Sequence, residues 1–515
     1  MNKKNFLFNA LLSTTLFTFS YAGYGLNFLI WFSLIPLFHI ISFSKKKFSS
    51  GLLSGAIIYT ASVIWLAPTI SKYGGIPYLL SFVPVILLGT YLGLFTAILS
   101  ILFPDYPKKP FLSLFLVPCL WTGLDFCASF LFSGFPWVSP GYSQYKNTNL
   151  IQIASITGVY GLTYFIVMVN TGFFIILKRF AESKKLFKKD FAIMAVLGLS
   201  LSALLFYGHY NIENTKKIAA ESSKTSLLLV QANILPDNKH GSDINNIVKK
   251  HFSLIEKNNE KYDIAIWPET AVPYPVFLNK KIKNRIIDFA KKNNNQLIGI
   301  LDVKNIKEKY ILKNRAVLFE KNGNTEKFYD KIHLVPFGEY IPLKKYFPFL
   351  ALFITPSGEF SSGLQNYLIN MDKIKIAAKI CFEIIFPNLV RKQVKNGANI
   401  IINLTNDAWF GKTAGPYQHL SISVFRAVEN MRSIARCANT GISAHILPTG
   451  EIISMGELFK EETLTKNLPL IEKQSIYTNY GDYFAKICLI VLLITGFFYF
   501  INFYRKKEKK NECRT

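Results

Sequence analysis

Long apolar stretches separated by short basic loops fill the N-terminal part of the chain, a long mixed polar and apolar region follows, and one more apolar stretch closes it. The stretches Phe6 to Ala22, Tyr24 to Phe43, Gly51 to Ile70, Ile76 to Phe103, Phe111 to Ser133, Tyr160 to Leu177, Phe191 to Tyr207 and Ile487 to Tyr504 are each near the ~20 residues a helical span needs. They predict roughly eight membrane helices. Between His209 and Ala485 the periodicity changes. Short β-like runs at Thr225 to Val230, Asp263 to Trp267, Gln296 to Leu301, Ala316 to Phe319, Ile374 to Ile380, Ile400 to Leu404 and Ile442 to Leu447 alternate with helical patterns at Asn245 to Asn258, Lys280 to Lys292, Ile384 to Lys395 and His419 to Ala435. This is the signature of an α/β layered domain. Lys321-Asn322-Gly323-Asn324 predicts a hairpin turn between Ala316-Phe319 and Thr325-Tyr329. The expected organisation is a membrane α-helical bundle of about seven helices over residues 1–208, a folded domain at 209–485, and a final span with a basic tail at 486–515.

Charge orients this plan. Lys3 and Lys4, Lys45 to Lys47, Lys108 and Lys109, the Lys178 to Lys189 loop and the Arg505 to Arg514 tail fall on one side of the expected spans, and only Lys72 and Lys146 occupy the opposite short loops. By the positive-inside rule both termini are cytoplasmic and the large domain lies outside, in the periplasm of a double-membrane cell. The first stretch also has signal-peptide features, with Asn2-Lys3-Lys4 before an apolar core and Ser20-Tyr21-Ala22 after it, but a second apolar stretch restarts almost at once. Much of the net charge of +27 over 515 residues lies in the cytoplasmic loops and tail, where anionic headgroups are the simpler partner, and the remaining lysines, mixed with Asn and Glu, read as a solvated surface; no nucleic-acid motif accompanies them. Few charges lie inside the expected spans, Asp125 being the main exception, which argues against ion transport.

The candidate chemistry lies in the outer domain. Ile266-Trp267-Pro268-Glu269, Tyr329-Asp330-Lys331 running on to Glu339, and Ile380-Cys381-Phe382-Glu383 each end or follow a strand-like run. A carboxylate, an ammonium and a thiol supply a proton acceptor, a positive charge for an oxyanion and a nucleophile. A thiol at a helix N-terminus beside an ammonium is expected to favour its thiolate. Cys119, Cys127 and Cys488 fall in spans and Cys513 in the tail, so Cys381 and Cys437 are left for the outer domain, without spacing for zinc.

These motifs, with Asn403-Leu404-Thr405-Asn406-Asp407-Ala408-Trp409-Phe410-Gly411, Gln418-His419, Arg426-Ala427-Val428-Glu429 and Asn439-Thr440-Gly441-Ile442-Ser443, resemble the apolipoprotein N-acyltransferase family of bacterial inner membranes. The resemblance covers nearly the whole chain. It implies a nitrilase-like α-β-β-α sandwich for the outer domain, a catalytic triad of Glu269, Lys331 and Cys381, and an accessory glutamate at Glu339. It also implies an acyl group passing from a membrane phospholipid through a Cys381 thioester to the α-amine of an S-diacylglyceryl cysteine on an apolipoprotein, with no cofactor and no metal.

Phe382, Glu383 and Trp409 join Glu339 as substrate-binding or positioning candidates. Glu339 and Glu383 equally suit structural carboxylates that fix loops, and Trp409 and Phe410 suit core aromatics as well as an acyl pocket. His333, His419 and His445 read as structural, because the resemblance gives the base to Glu269. The chain departs from the family pattern at Phe382, where Tyr is common, around Lys239-His240, where Trp is common, and at Asn314-Arg315, where Asn-Ser is usual. Tyr340 to Phe353 is apolar after Lys344-Lys345 and suits either an interfacial lid or a packed arm. Two other functions stay open: a membrane-tethered amidase using the same triad, and a transporter or lipoprotein-binding scaffold with an inactive outer domain.

Overall fold

The computed structural model describes residues 2–104, 109–235, 243–306, 309–342, 344, 346 and 360–512. Its chain divides into two units, one of Met1–Ile64, Phe82–His209 and Asp482–Thr515, the other of Trp65–Ser81 and Tyr210–Gly481. Most of the Tyr340 to Phe353 segment, and Lys239-His240, lie outside the described residues.

The first unit is helical. Among the described residues five helices are long and apolar enough to cross a membrane: Phe82–Leu102, Pro110–Ala128, Val159–Ser183, Lys188–Glu221 and Tyr483–Arg505. Two of the expected spans are shorter as helices. Lys3–Phe19 has 17 residues, and the stretch from Tyr24 opens between Gly23 and Gly25, both at positive φ, so that only Ile35–Phe43 is α-helical. The third stretch breaks after Lys47–Ser62, and its remainder, Leu66–Gly74, groups with the second unit. The Lys47–Ser62 and Phe82–Leu102 helices touch through their backbones: a Cβ on Gly93 would stand 2.7 Å from Ala56 N. Small residues permit this approach where apolar side chains gain nothing by leaving lipid.

The second unit is built on strands β1 (Lys224–Gln231), β2 (Ile264–Ile266), β3 (Val272–Pro275), β4 (Asn295–Ile306), β5 (Lys309–Phe319), β6 (Phe328–Asp330), β7 (Ile369–Met371), β8 (Ile374–Ile380), β9 (Ile400–Thr405), β10 (Ile434–Ala438), β11 (Ala444–Ile446), β12 (Ile452–Met455) and β13 (Glu462–Pro469). Among the described residues they form a seven-stranded sheet ordered β13-β1-β2-β4-β5-β6, with β3 on β4, and a six-stranded sheet ordered β12-β11-β10-β9-β8-β7. Alternation along each strand sorts the side chains. Leu227 and Leu229 of β1, Ile266 of β2 and Leu297 of β4 meet Ile376, Ala378, Ile402 and Leu404 of the other sheet in one core. Their neighbours Leu228, Val230, Ala265 and Ile298 face helices Ile244–Glu256 and Lys280–Asn293 through Val248, Phe252, Ile286 and Phe289. Helices Pro387–Lys395 and Gly415–Asn430 accompany the six-stranded sheet. The result is the expected α-β-β-α sandwich.

The central runs sit where their periodicity places them, β8 to the residue, and Lys321–Asn324 joins the antiparallel β5 and β6 with Gly323 at φ +92. The last expected helix is too long. It stops at Asn430, Met431 adopts a left-handed cap, and Ile434–Ala438 becomes the buried strand β10 between β9 and β11. A short apolar run buried on both faces has no period that separates strand from helix.

One buried histidine ties the sheets together. His445 on β11 donates Nε2–H to the carbonyl of Leu227 on β1 (3.2 Å), and its Nδ1 meets Ser454 Oγ at 2.7 Å. Burial lowers its pKa from 6.5 to about 4, so the unfolded chain takes up a proton in this window that the folded chain refuses. Stability is therefore full above pH 6.5 and falls as pH drops towards 4, at up to about 1.4 kcal/mol per pH unit. Thermal midpoints in detergent should decline across that window in the wild type and decline less in His445→Gln; equal slopes would remove His445 from the acid response.

Candidate active site

Three strands end at one place in the second unit. β2 runs into Trp267-Pro268-Glu269, β6 into Lys331, and β8 into Cys381. The first turn crosses β4 closely, since a Cβ on Gly299 would stand 2.3 Å from Pro268 O; only glycine fits there. Trp267 anchors the turn, its indole donating to Gln296 Oε1 at 3.0 Å and its ring stacked on His251 at 4.3 Å.

Lys331 is the hub. Its ammonium donates to Glu269 Oε1 (3.2 Å) and to Glu339 Oε1 (2.9 Å). The same two oxygens accept from Asn314 Nδ2, at 2.8 and 3.1 Å, and Glu339 Oε2 accepts from Val335 N at 2.8 Å. All four residues are buried. Burial by itself lowers the pKa of Lys331, but the charges of Glu269 and Glu339 outweigh it and raise the pKa, so the lysine stays an ammonium. Removing Lys331 would leave two buried carboxylates uncompensated, at a cost of about 3–5 kcal/mol, whereas neutralising Glu269 leaves the ammonium paired with Glu339.

Cys381 opens a 3₁₀ turn, Cys381–Ile385, with φ at +50. A β-carbon-bearing residue occupies this left-handed region only when its surroundings insist. Here Glu383 insists on one side. Its Oε2 accepts from Ile380 N (2.8 Å), while Oε1 accepts from Ile332 N (2.7 Å), His333 N (3.1 Å) and Tyr329 Oη (2.8 Å). One carboxylate thus joins the cysteine turn to the loop after Lys331. Lys379 Nζ, lowered to about 8 by burial, donates to Tyr329 Oη at 3.1 Å. On the other side His419 Nε2 donates to the carbonyl of Cys381 at 3.3 Å. Burial and Arg436 lower the pKa of His419, and its Nδ1 lies 3.0 Å from both Asp407 Oδ1 and Arg436 Nη2. Asp407 accepts from Arg436 Nη2 (2.6 Å) and Thr405 Oγ1 (2.9 Å).

The expectation of a favoured thiolate is corrected. Cys381 begins a single short turn instead of an α-helix. Burial pushes its thiol up, Glu269 and Asp407 push it further, and Lys331 with a hydrogen bond from Thr405 does not compensate. The resting group is a neutral thiol that needs a base at the moment of reaction.

The accessory candidates fall apart into distinct roles. Glu339 shares the Lys331 ammonium with Glu269. Glu383 touches backbone donors and Tyr329. Phe382 packs its ring near Phe386 at 5.2 Å and His333 at 5.9 Å. Trp409 stands in the turn after Asp407, half-buried and edge-on to Tyr73 at 4.3 Å. Asn314, Thr405 and Arg436 were not singled out by sequence. The Asn314-Arg315 departure was the one signal for the first, and Arg315 itself pairs with Asp302 and Asp330. Among the described residues no cluster of His, Cys, Asp or Glu is placed to hold a metal ion.

A sandwich of two sheets with a buried carboxylate, ammonium and thiol at its strand ends defines a carbon-nitrogen hydrolase domain, and the family model of that description matches residues 227–476. The model for the apolipoprotein N-acyltransferase N-terminal domain matches residues 13–172. The apolipoprotein N-acyltransferase of Geobacter metallireducens is 34% identical over 93% of this chain and 92% of its own length; that of Pasteurella multocida is 31% identical over 91% and 90%. The chain belongs to the apolipoprotein N-acyltransferase family. A solved carbon-nitrogen hydrolase from Helicobacter pylori, 17% identical, covers 48% of this chain and 89% of its own with a TM-score of 0.38.

The neutral thiol makes a direct prediction. Alkylation of Cys381 by iodoacetamide, followed by mass spectrometry in detergent, should still accelerate with pH at and above the ordinary thiol value of 9.0. A plateau reached by neutral pH would show a preformed thiolate.

Proposed function

We propose that the protein transfers an acyl chain from a membrane phospholipid to the α-amino group of an S-diacylglyceryl cysteine at an apolipoprotein N-terminus, completing lipoprotein maturation, with Cys381 carrying the chain as a thioester. The observation that carries this reading is the Lys331 ammonium held between Glu269 and Glu339 within the same charge field as a buried thiol on a left-handed turn.

In the first half-reaction Cys381 Sγ attacks the ester carbonyl of the phospholipid as Glu269 takes the thiol proton. Negative charge develops on the carbonyl oxygen and is met by Lys331 and a backbone N–H near Phe382. The C–O bond then breaks, Glu269 returns the proton to the departing lysophospholipid hydroxyl, and the thioester remains. In the second half-reaction the α-amine attacks the thioester carbonyl and passes a proton to Glu269. The C–S bond breaks, the amide forms, and Cys381 recovers its proton. Glu339 and Asn314 keep Lys331 and Glu269 in register through both halves. Keeping the acyl tails in lipid matters, because exposing a chain of ~16 carbons to water would cost roughly 12 kcal/mol at about 0.8 kcal/mol per methylene.

The apolar helices suit an inner-membrane enzyme, and the one-sided distribution of basic loops supports a periplasmic position for residues 209–485. An amidase acting on a soluble amide would use the same three groups but would need no apolar helices in its chain.

The test is the intact mass of the purified protein after incubation with phospholipid vesicles. The wild type should gain one acyl group on Cys381, and Cys381→Ala none. Glu269→Gln should slow acylation by about 10²–10⁴-fold while keeping its thermal midpoint, and Lys331→Met should lose both rate and stability. An acyl group that persists in Cys381→Ala, or that maps to Cys437, would overturn the assignment; amide hydrolysis without any lipid adduct would favour the amidase.

A further inference from the structure

The segment Trp65–Ser81 was expected as parts of two spans and their connecting loop, yet it packs within the sandwich unit. Its helix Leu66–Gly74 presents two polar groups to the turn that follows Asp407, and Trp65 just before it presents a third to helix Gly415–Asn430. Tyr73 Oη donates to the carbonyl of Ala408 at 3.3 Å, Thr69 Oγ1 to that of Trp409 at 2.7 Å, and Trp65 Nε1 to Gln418 Oε1 at 3.0 Å.

Rings follow the same path. Tyr73 lies edge-on to Trp409 at 4.3 Å and Trp65 edge-on to Phe410 at 4.9 Å. Gly415 makes room for the second pair, since a Cβ there would stand 2.9 Å from Trp65 and 3.0 Å from Phe410. Phe410 in turn meets the ring of His419 at 6.1 Å, the histidine that donates to the Cys381 carbonyl. Trp409 and Phe410 are only half-buried, so each keeps apolar surface for something else to cover.

The nucleophile turn does not depend on this clasp. Asp407 is fixed by Thr405 and Arg436, and Cys381 by Glu383 and His419, all from the sandwich itself. What the clasp fixes is the backbone of residues 408–409 and the planes of the two rings that follow Asp407.

We propose that Trp65, Thr69 and Tyr73 are positioning residues that hold Trp409 and Phe410 as the apolar wall for the long acyl chain of the lipid donor. This rests on the acyl-transfer reading above and adds where the chain lies and what holds its wall. Partly exposed aromatic faces suit contact with a flexible alkyl chain.

The test compares wild type, Thr69→Val with Tyr73→Phe, and Thr69→Ser as the conservative control, in detergent-purified full chain. Tyr73→Phe keeps its ring on Trp409 and loses only the hydroxyl donor; Thr69→Val keeps its shape and loses the other. Acyl-enzyme formation from vesicles of long-chain phosphatidylethanolamine should fall about tenfold in the double variant, as loss of two hydrogen bonds allows. Thr69→Ser should retain the wild-type rate. Alkylation of Cys381 by iodoacetamide should stay within about twofold throughout, because the hydrogen bonds to the cysteine turn are untouched. Unchanged acylation in the double variant would overturn the inference. So would a parallel fall in acylation and alkylation, which would mean the clasp supports the nucleophile and not a wall. A wild type that forms no acyl-enzyme at all would overturn the acyl-transfer reading itself, and is told apart by the wild-type arm alone.

Discussion

The left-handed backbone of Cys381 is the constraint on which the rest of the site depends. A φ of +50 at a residue with a β-carbon costs on the order of 1–3 kcal/mol, and the fold holds it from both ends. Glu383 grips the amide before it and His419 the carbonyl after it. Because the same Glu383 carboxylate also accepts from the amides of Ile332 and His333, the turn that aims the thiol and the loop that carries Lys331 are fixed to one object. Strands from two different sheets thereby deliver a nucleophile and a cation to one place with little freedom left to either.

The electrostatics follow from burial and count. One ammonium faces two carboxylates, and Asp407 adds a third charge felt by the thiol. That balance keeps Lys331 charged and Cys381 protonated, so the site stores no thiolate in its resting state. It suits a reaction in which the proton leaves only as a carbonyl arrives, with Glu269 close to the ammonium that will meet the oxyanion. A neutral resting thiol is also a poor target for oxidants and stray electrophiles, since the thiolate is the reactive form.

Much of this was legible in the sequence, for reasons that differ by residue. Glu269, Lys331 and Cys381 each end or follow a run whose period marks a strand, and three such ends with complementary chemistry are readable without coordinates. That Lys331 would meet Glu269, 62 residues away, was not, because strand order is not written in spacing. Asn314 was passed over for the same reason, lying mid-strand in β5. The sign of the thiol shift is not legible there, because a nearby cation is visible in a motif, whereas full burial and the summed charge of Glu269 and Asp407 are tertiary facts. Trp65–Ser81 was assigned to membrane spans because apolar content says that a segment is covered, and not by what. Strand β10 was absorbed into a helix for a related reason, since every one of its residues is buried.

The central claim is that one thiol serves two bulky lipid substrates in turn, holding the acyl chain between them. Initial rates measured while phospholipid and a diacylglyceryl-cysteine peptide are both varied test it most directly. A stored thioester, with lysophospholipid leaving before the peptide enters, gives parallel double-reciprocal lines. Intersecting lines would mean that both substrates bind before any bond breaks, and would contradict the account.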